Sequence, residues 1–202
     1  MEDNNFLLTL AVVAVIVSVV AAGFTYLSIA SLSARISGFA IGTANLTVES
    51  QASINFTTAT IDWGSGKVND GQTIAHLTTV GNGAVYNSNW TAASGLLLEN
   101  NGNVNVTLNI TVGKNPQDFI GGTNPLYYIN VSNVEAGSCT ATSFVPGIFY
   151  AANASNNILN CNSFRFDETA DLIRIDINIS IPENSKKGAL GDIITATATA
   201  AS

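Results

Sequence analysis

LIRIDINISIP, residues 172–182, places isoleucine at every second position. Ile173, Ile175, Ile177, Ile179 and Ile181 fall on one phase, and Arg174, Asp176, Asn178 and Ser180 fall on the other. A two-residue period sends the two sets to opposite faces of an extended chain, so the stretch reads as a strand with isoleucines toward a core and polar residues toward solvent. The branched side chains favour the same conformation. Such a strand needs neighbours with the same alternation.

They are present. In NNGNVNVTLNITVG, residues 100–113, Val104, Val106, Leu108, Ile110 and Val112 alternate with Asn103, Asn105, Thr107, Asn109 and Thr111. Strands are expected at 44–49, 52–62, 73–80, 95–99, 104–112, 126–134, 171–181 and 192–200. Turn chemistry divides them, at Gly64 and Gly66, Asn82-Gly83, Asn101-Gly102, Gly121-Gly122 and the run 182–188. Many short strands with regular turns predict an all-β, Ig-like β-sandwich. The last strand, IITATATA at 193–200, sets Thr195, Thr197 and Thr199 against Ile194, Ala196, Ala198 and Ala200, and is expected beside the 172–182 strand.

The other end of the chain has a different pattern. FLLTLAVVAVIVSVVAAGFTYLSIASL, residues 6–32, has neither charge nor proline. A helix of this length is roughly 40 Å long and crosses a bilayer. Its apolar character runs all round, so every side needs burial, in lipid or against copies of itself. Met1, Glu2, Asp3, Asn4 and Asn5 precede it in place of a basic n-region, so it reads as a retained segment. Small residues, among them Ala11, Ala14, Ser18, Ala21, Ala22 and Gly23, allow close helix approach. The residues expected to carry assembly are Phe6, Val13, Ile16, Val20, Gly23, Phe24 and Leu27. A simple single-pass anchor is the other reading of the same segment. The expected organisation is a hydrophobic assembly or membrane helix at 1–35, a connector at 36–43 and an external β-sandwich at 44–202.

Charge and acceptor sites bear on location. Only 10% of residues are charged, the net charge is −7 and the pI is about 4.4, which provides no basic surface for nucleic acid or anionic lipid. Arg35 is the only basic residue near the helix and lies on the domain side, which by the positive-inside rule favours an internal domain. The acceptor tripeptides N-x-S/T point the other way. They begin at Asn45, Asn55, Asn89, Asn105, Asn109, Asn130, Asn153 and Asn178, a density that fits an external surface bearing N-linked glycans. In NLTV, INFT, NVNVTLNIT and DINISI the acceptor lies on the polar phase of its strand. The other explanation is that Asn and Thr replace charge in an acid, salty or hot medium.

Cys139 and Cys161 flank a loop rich in Asn, Ala and Gly, and in an external protein they are expected to pair. Their spacing matches neither a redox CxxC nor a zinc site. His76 is the only histidine, so a triad or histidine metal site has little to draw on, and AHLTTV reads as ordinary strand. Asp167, Glu168 and Asp171 lack the spacing of a calcium loop and read as a solvated turn. Trp63, Trp90, Tyr127, Tyr128, Phe149 and Tyr150 are expected mostly in the core. No cofactor, metal or catalytic residue is expected.

A fully apolar N-terminal helix, AVVAVIVSVVAAGF at its centre, leading into a Thr/Asn-rich β-domain with many acceptor sites resembles the archaeal type IV-like pilins and archaellins. The resemblance covers the architecture of the whole chain. It implies a precursor held in the membrane, loss of a basic leader, and helices bundled into a filament core beneath external β-domains. Here no basic leader precedes the helix, and Glu2 does not stand where bacterial type IV pilins carry their glutamate; either Met1 is the first residue after leader removal, or the chain is a different surface protein. The expected function is a structural subunit of an extracellular homopolymer, for adhesion, with its surface receptor undefined. The alternatives are a membrane-anchored surface glycoprotein or adhesin, a subunit assembled by strand exchange, and a carbohydrate-binding or hydrolytic module.

Overall fold

A computed structural model describes residues 3–33, 46–141, 144–154 and 159–201. The expected connector at 36–43 and Asn45 lie outside them. The chain divides into two units, Met1–Thr47 and Val48–Ser202, each described by itself.

In the first unit, α1 (Asp3–Ser33) is a continuous helix of 31 residues. Its segment Phe6–Ser28 has a mean hydropathy of 2.7. Ser18 and Thr25 do not interrupt this character. Their hydroxyls donate to the Ala14 and Ala21 carbonyls at 2.7 and 2.5 Å, which satisfies them within the helix.

The second unit is β-rich. Its elements are β1 (Asn55–Thr58), β2 (Ile74–Thr78), β3 (Ala84–Tyr86), β4 (Leu96–Glu99), β5 (Val106–Val112), the short helix α2 (Pro116–Phe119), β6 (Leu126–Asn133), β7 (Cys139–Ala141), β8 (Tyr150–Ala151), β9 (Leu159–Phe164), β10 (Leu172–Pro182) and β11 (Ile194–Ala200). The LIRIDINISIP stretch is β10, the centre of the larger sheet. One of its edges pairs with β6, and the other is shared end to end by β4 along Leu172–Ile175 and β2 along Asn178–Pro182. Beyond these neighbours lie β1, β3 and β8. The second sheet runs β11-β5-β9-β7, and every pairing in both sheets is antiparallel. The inner faces of both sheets contribute to one buried cluster, with Leu77, Leu98 and Ile173 to Ile181 from the first and Val106, Leu108, Ile110 and Phe164 from the second.

The joint where β4 gives way to β2 is polar and buried. Asp176, 3% exposed, accepts hydrogen bonds from the Thr79 hydroxyl at 2.9 Å and from Arg174 Nε at 3.0 Å. Thr79 Oγ1 in turn accepts the Ile177 N–H at 2.8 Å, and Arg174 donates to the Thr79 carbonyl at 2.8 Å and to that of Gly81. Gly95 is required beside it, because a Cβ there would lie 2.6 Å from the Ile175 carbonyl oxygen and 2.5 Å from Asp176 Oδ1. The β2–β3 turn has a similar need: Gly83 has φ +80°, and a Cβ would collide with the Ala93 backbone.

Several expectations change. The isoleucines of β10 are buried, but Asp176 and Ser180 are each only 3% exposed, so half of this strand's polar phase is covered as well, while Arg174 and Asn178 stay partly exposed. The final strand lies beside β5 in the other sheet and not beside β10, because residues 183–193 carry the chain across between sheets. The strand expected at 52–62 contracts to Asn55–Thr58, and residues 46–49 form no strand. The elements β3, β7, β8, β9 and α2 were not expected; the longest of these strands, LNCNSF, alternates apolar and polar residues only as far as Asn162, after which Ser163 breaks the period.

Candidate functional site

Among the described residues, α1 carries the longest run of exposed apolar side chains. Every described side chain from Phe6 to Ser28 is exposed. The six bulky residues expected to carry assembly are at least half exposed: Phe6 70%, Val13 51%, Ile16 56%, Val20 54%, Phe24 71% and Leu27 67%. At about 100° per residue these positions and Gly23 lie along one stripe of the helix. A Cβ on Gly23 would meet nothing within 4 Å. Such a surface in water has a large unfavourable solvation free energy and demands lipid or protein cover.

The acceptor asparagines in the described residues separate by exposure. Asn55, Asn89, Asn105 and Asn153 are exposed, and Asn109 and Asn178 are half-buried on the outer faces of β5 and β10. Asn130 departs from the outward placement expected of an acceptor, being 4% exposed with its Oδ1 accepting the Gly147 N–H at 3.0 Å. Its position on β6 falls within the run Ile129, Asn130, Val131, all buried, where both faces are covered. Mass spectrometry of the native protein should therefore find sugar at Asn55, Asn105 and Asn153 and an unmodified peptide at Asn130. Bare peptides at Asn55, Asn89, Asn105 and Asn153 alike would remove the glycan reading.

Cys139 and Cys161 are joined, with Cα atoms 5.6 Å apart on the adjacent strands β7 and β9. Closing a loop with a sequence separation of 22 stabilises the fold by about 3 kcal/mol through the unfolded chain. Reduction should lower the melting temperature by about 10 °C, read by circular dichroism with and without reductant. An unchanged melt would mean that the bond contributes nothing.

No family model, curated protein or solved structure matches the chain. Its chemistry must be read from its own side chains.

His76 Nδ1 lies 2.8 Å from Ser180 Oγ, but the two are register partners on β2 and β10, and Ser180 is 3% exposed. That serine is not presented to a substrate. Among the described residues, no group of three His, Cys, Asp or Glu side chains is placed to hold a metal ion. Asp167 and Glu168 are exposed, as a solvated turn requires, whereas Asp171 is 8% exposed. Burial, followed by the charges of Glu135 and Glu99, raises the Asp171 carboxyl above its ordinary range. Of the six aromatics, Tyr127 is fully buried, and burial together with the nearby Asp192 carboxylate pushes its phenol far above the usual tyrosine value.

Trp63 and Trp90 are only half-buried, in the wall of an open groove of about 1220 Å³. Residues 59–68 and 183–194 form its sides, and Leu77, Ile177 and Ile179 reach it from the core. Sequence reading missed this groove because its walls come from irregular segments.

Proposed function

We propose that the chain is a structural, non-catalytic subunit of an extracellular filament, similar in plan to archaeal type IV-like pilins. Copies of α1 bundle to form the filament core. The β-rich unit is an Ig-like sandwich displayed outside, its acceptor asparagines bear N-linked glycans, and the filament serves adhesion. Before assembly the same helix holds the subunit in the membrane. The observation that carries this reading is the helix: Phe6–Ser28 is apolar and exposed on every side, and it precedes a separate unit with its own core.

The second reading is a membrane-anchored surface glycoprotein. It is favoured by the length of the same segment, since 23 residues make a helix about 35 Å long, close to the thickness of a bilayer core of about 30 Å. Electron microscopy of material sheared from cells, with mass spectrometry of the purified fraction, separates the two. Filaments containing this chain support the first reading. Recovery of the chain only in detergent-extracted membranes overturns it.

A further inference from the structure

We infer that β11 and the groove beside it accept an extended strand from a second copy of this chain, the donor being the segment around Leu46–Val48. The acceptor side begins with the ladder. Gly113 donates its N–H to the Ile193 carbonyl, and Ala201 donates to that of Asn105, both at 2.9 Å. In an antiparallel pair this means that the odd-numbered residues of β11 exchange hydrogen bonds with β5, while Ile194, Ala196, Ala198 and Ala200 aim their N–H and C=O groups away. Among the described residues nothing pairs with that edge. It carries no charge, proline or bulge of the kind that normally blunts an exposed edge.

The core also lacks cover here. Inward residues of β5 are sealed, with Val106 and Leu108 at 0%, Ile110 at 2% and Val112 at 4%. Their counterparts Ile194, Ala196 and Ala198 pack on the same core but stay partly exposed. The groove opens at the start of β11. The indole Nε1 of Trp63 in its wall is buried and has no acceptor among the described residues, which an incoming backbone carbonyl would supply.

The chain carries a matching donor. Leu46 and Val48 are 88% and 76% exposed, on one phase of a segment that forms no strand of its own. The residues that follow are held in place. The Asn103 side chain accepts the Gln51 N–H at 2.6 Å and donates to the Glu49 carbonyl at 2.8 Å, and the Asn103 N–H bonds the Gln51 carbonyl at 3.0 Å. Two apolar side chains two residues apart, on a segment fixed at one end, suit addition of a strand to an open edge.

The inference shares with the filament reading only its need for a second copy of the chain. Full-length protein carrying Thr47→Cys is oxidised together with full-length protein carrying Thr195→Cys, Thr197→Cys or Thr199→Cys, and non-reducing gels are run. At least one mixture should give a linked heterodimer, and a chain carrying both cysteines should give a ladder. Leu46→Asp with Val48→Asp, at two exposed positions, should reduce the linked product at least tenfold without changing the melt. Ala198→Pro, which removes an outward N–H and leaves the β5 ladder intact, should do the same. Absence of any link between chains, or a link confined within single chains, overturns the inference. Normal filaments without cross-links sink strand exchange and leave the helical core standing; cross-linked oligomers from cells that make no filaments do the reverse.

Discussion

Asp176→Ala is expected to lower the melting temperature of the full chain in detergent by about 10 °C. The carboxylate is 3% exposed and receives both the Thr79 hydroxyl and Arg174 Nε. Removing it leaves a guanidinium that is 23% exposed without its counter-ion, and breaking a buried pair in this way costs about 3–5 kcal/mol. For a unit of this size each kcal/mol is about 2–4 °C. The position adds to the effect, since β4 and β2 meet on the edge of β10 at this joint and the Thr79 N–H also bonds the Ile177 carbonyl at 3.0 Å. Thr79→Val should be partly redundant with it. The double variant should melt well above the sum of the two losses, because both changes break one network. A shift below about 2 °C for Asp176→Ala would show that the joint does not hold the sheet together.

The same joint marks where sequence reading stops. Alternation alone identified β10 and β5, because each has one dominant period, and an uninterrupted apolar run identified the helix. It assigned Asp176 and Ser180 to solvent because period two distinguishes faces but not what covers them. The cover on Asp176 comes from Thr79, 97 residues away in the chain. The partner of β11 was equally hidden. Two strands adjacent in sequence and similar in pattern invite a hairpin, yet residues 183–193 cross to the other sheet, and only the backbone register with Val106–Val112 shows it. Acceptor asparagines were legible as tripeptides, whereas the burial of Asn130 depended on its bond to Gly147 in a loop with no periodic signal. The helix α1 itself was legible, since Phe6–Ser28 is apolar without interruption and has no polar face.

On the proposed filament reading, α1 gives the other large effect: Gly23→Leu should abolish filaments while leaving the amount of membrane-inserted chain unchanged. Within a single subunit the substitution is sterically free, because a Cβ at Gly23 meets nothing within 4 Å. It also favours the helix, as glycine costs about 0.8–1.0 kcal/mol relative to alanine in a helix interior and leucine costs little. Loss of assembly therefore cannot come from a damaged subunit. It would come from the bundle, where a leucine facing a neighbouring helix forces the two apart and overpacking costs about 1–3 kcal/mol at each contact. In a polymer every subunit carries that cost, so filament yield in sheared fractions should fall at least tenfold, with Gly23→Ala in between. Immunoblots of membrane fractions supply the control, since more apolar surface does not weaken insertion. A single-pass anchor has no neighbour at Gly23 and tolerates leucine. Wild-type filament yield from a Gly23→Leu strain would therefore move the assembly contact off the helix and onto the β-rich unit, where the open edge of β11 is the surface left to carry it.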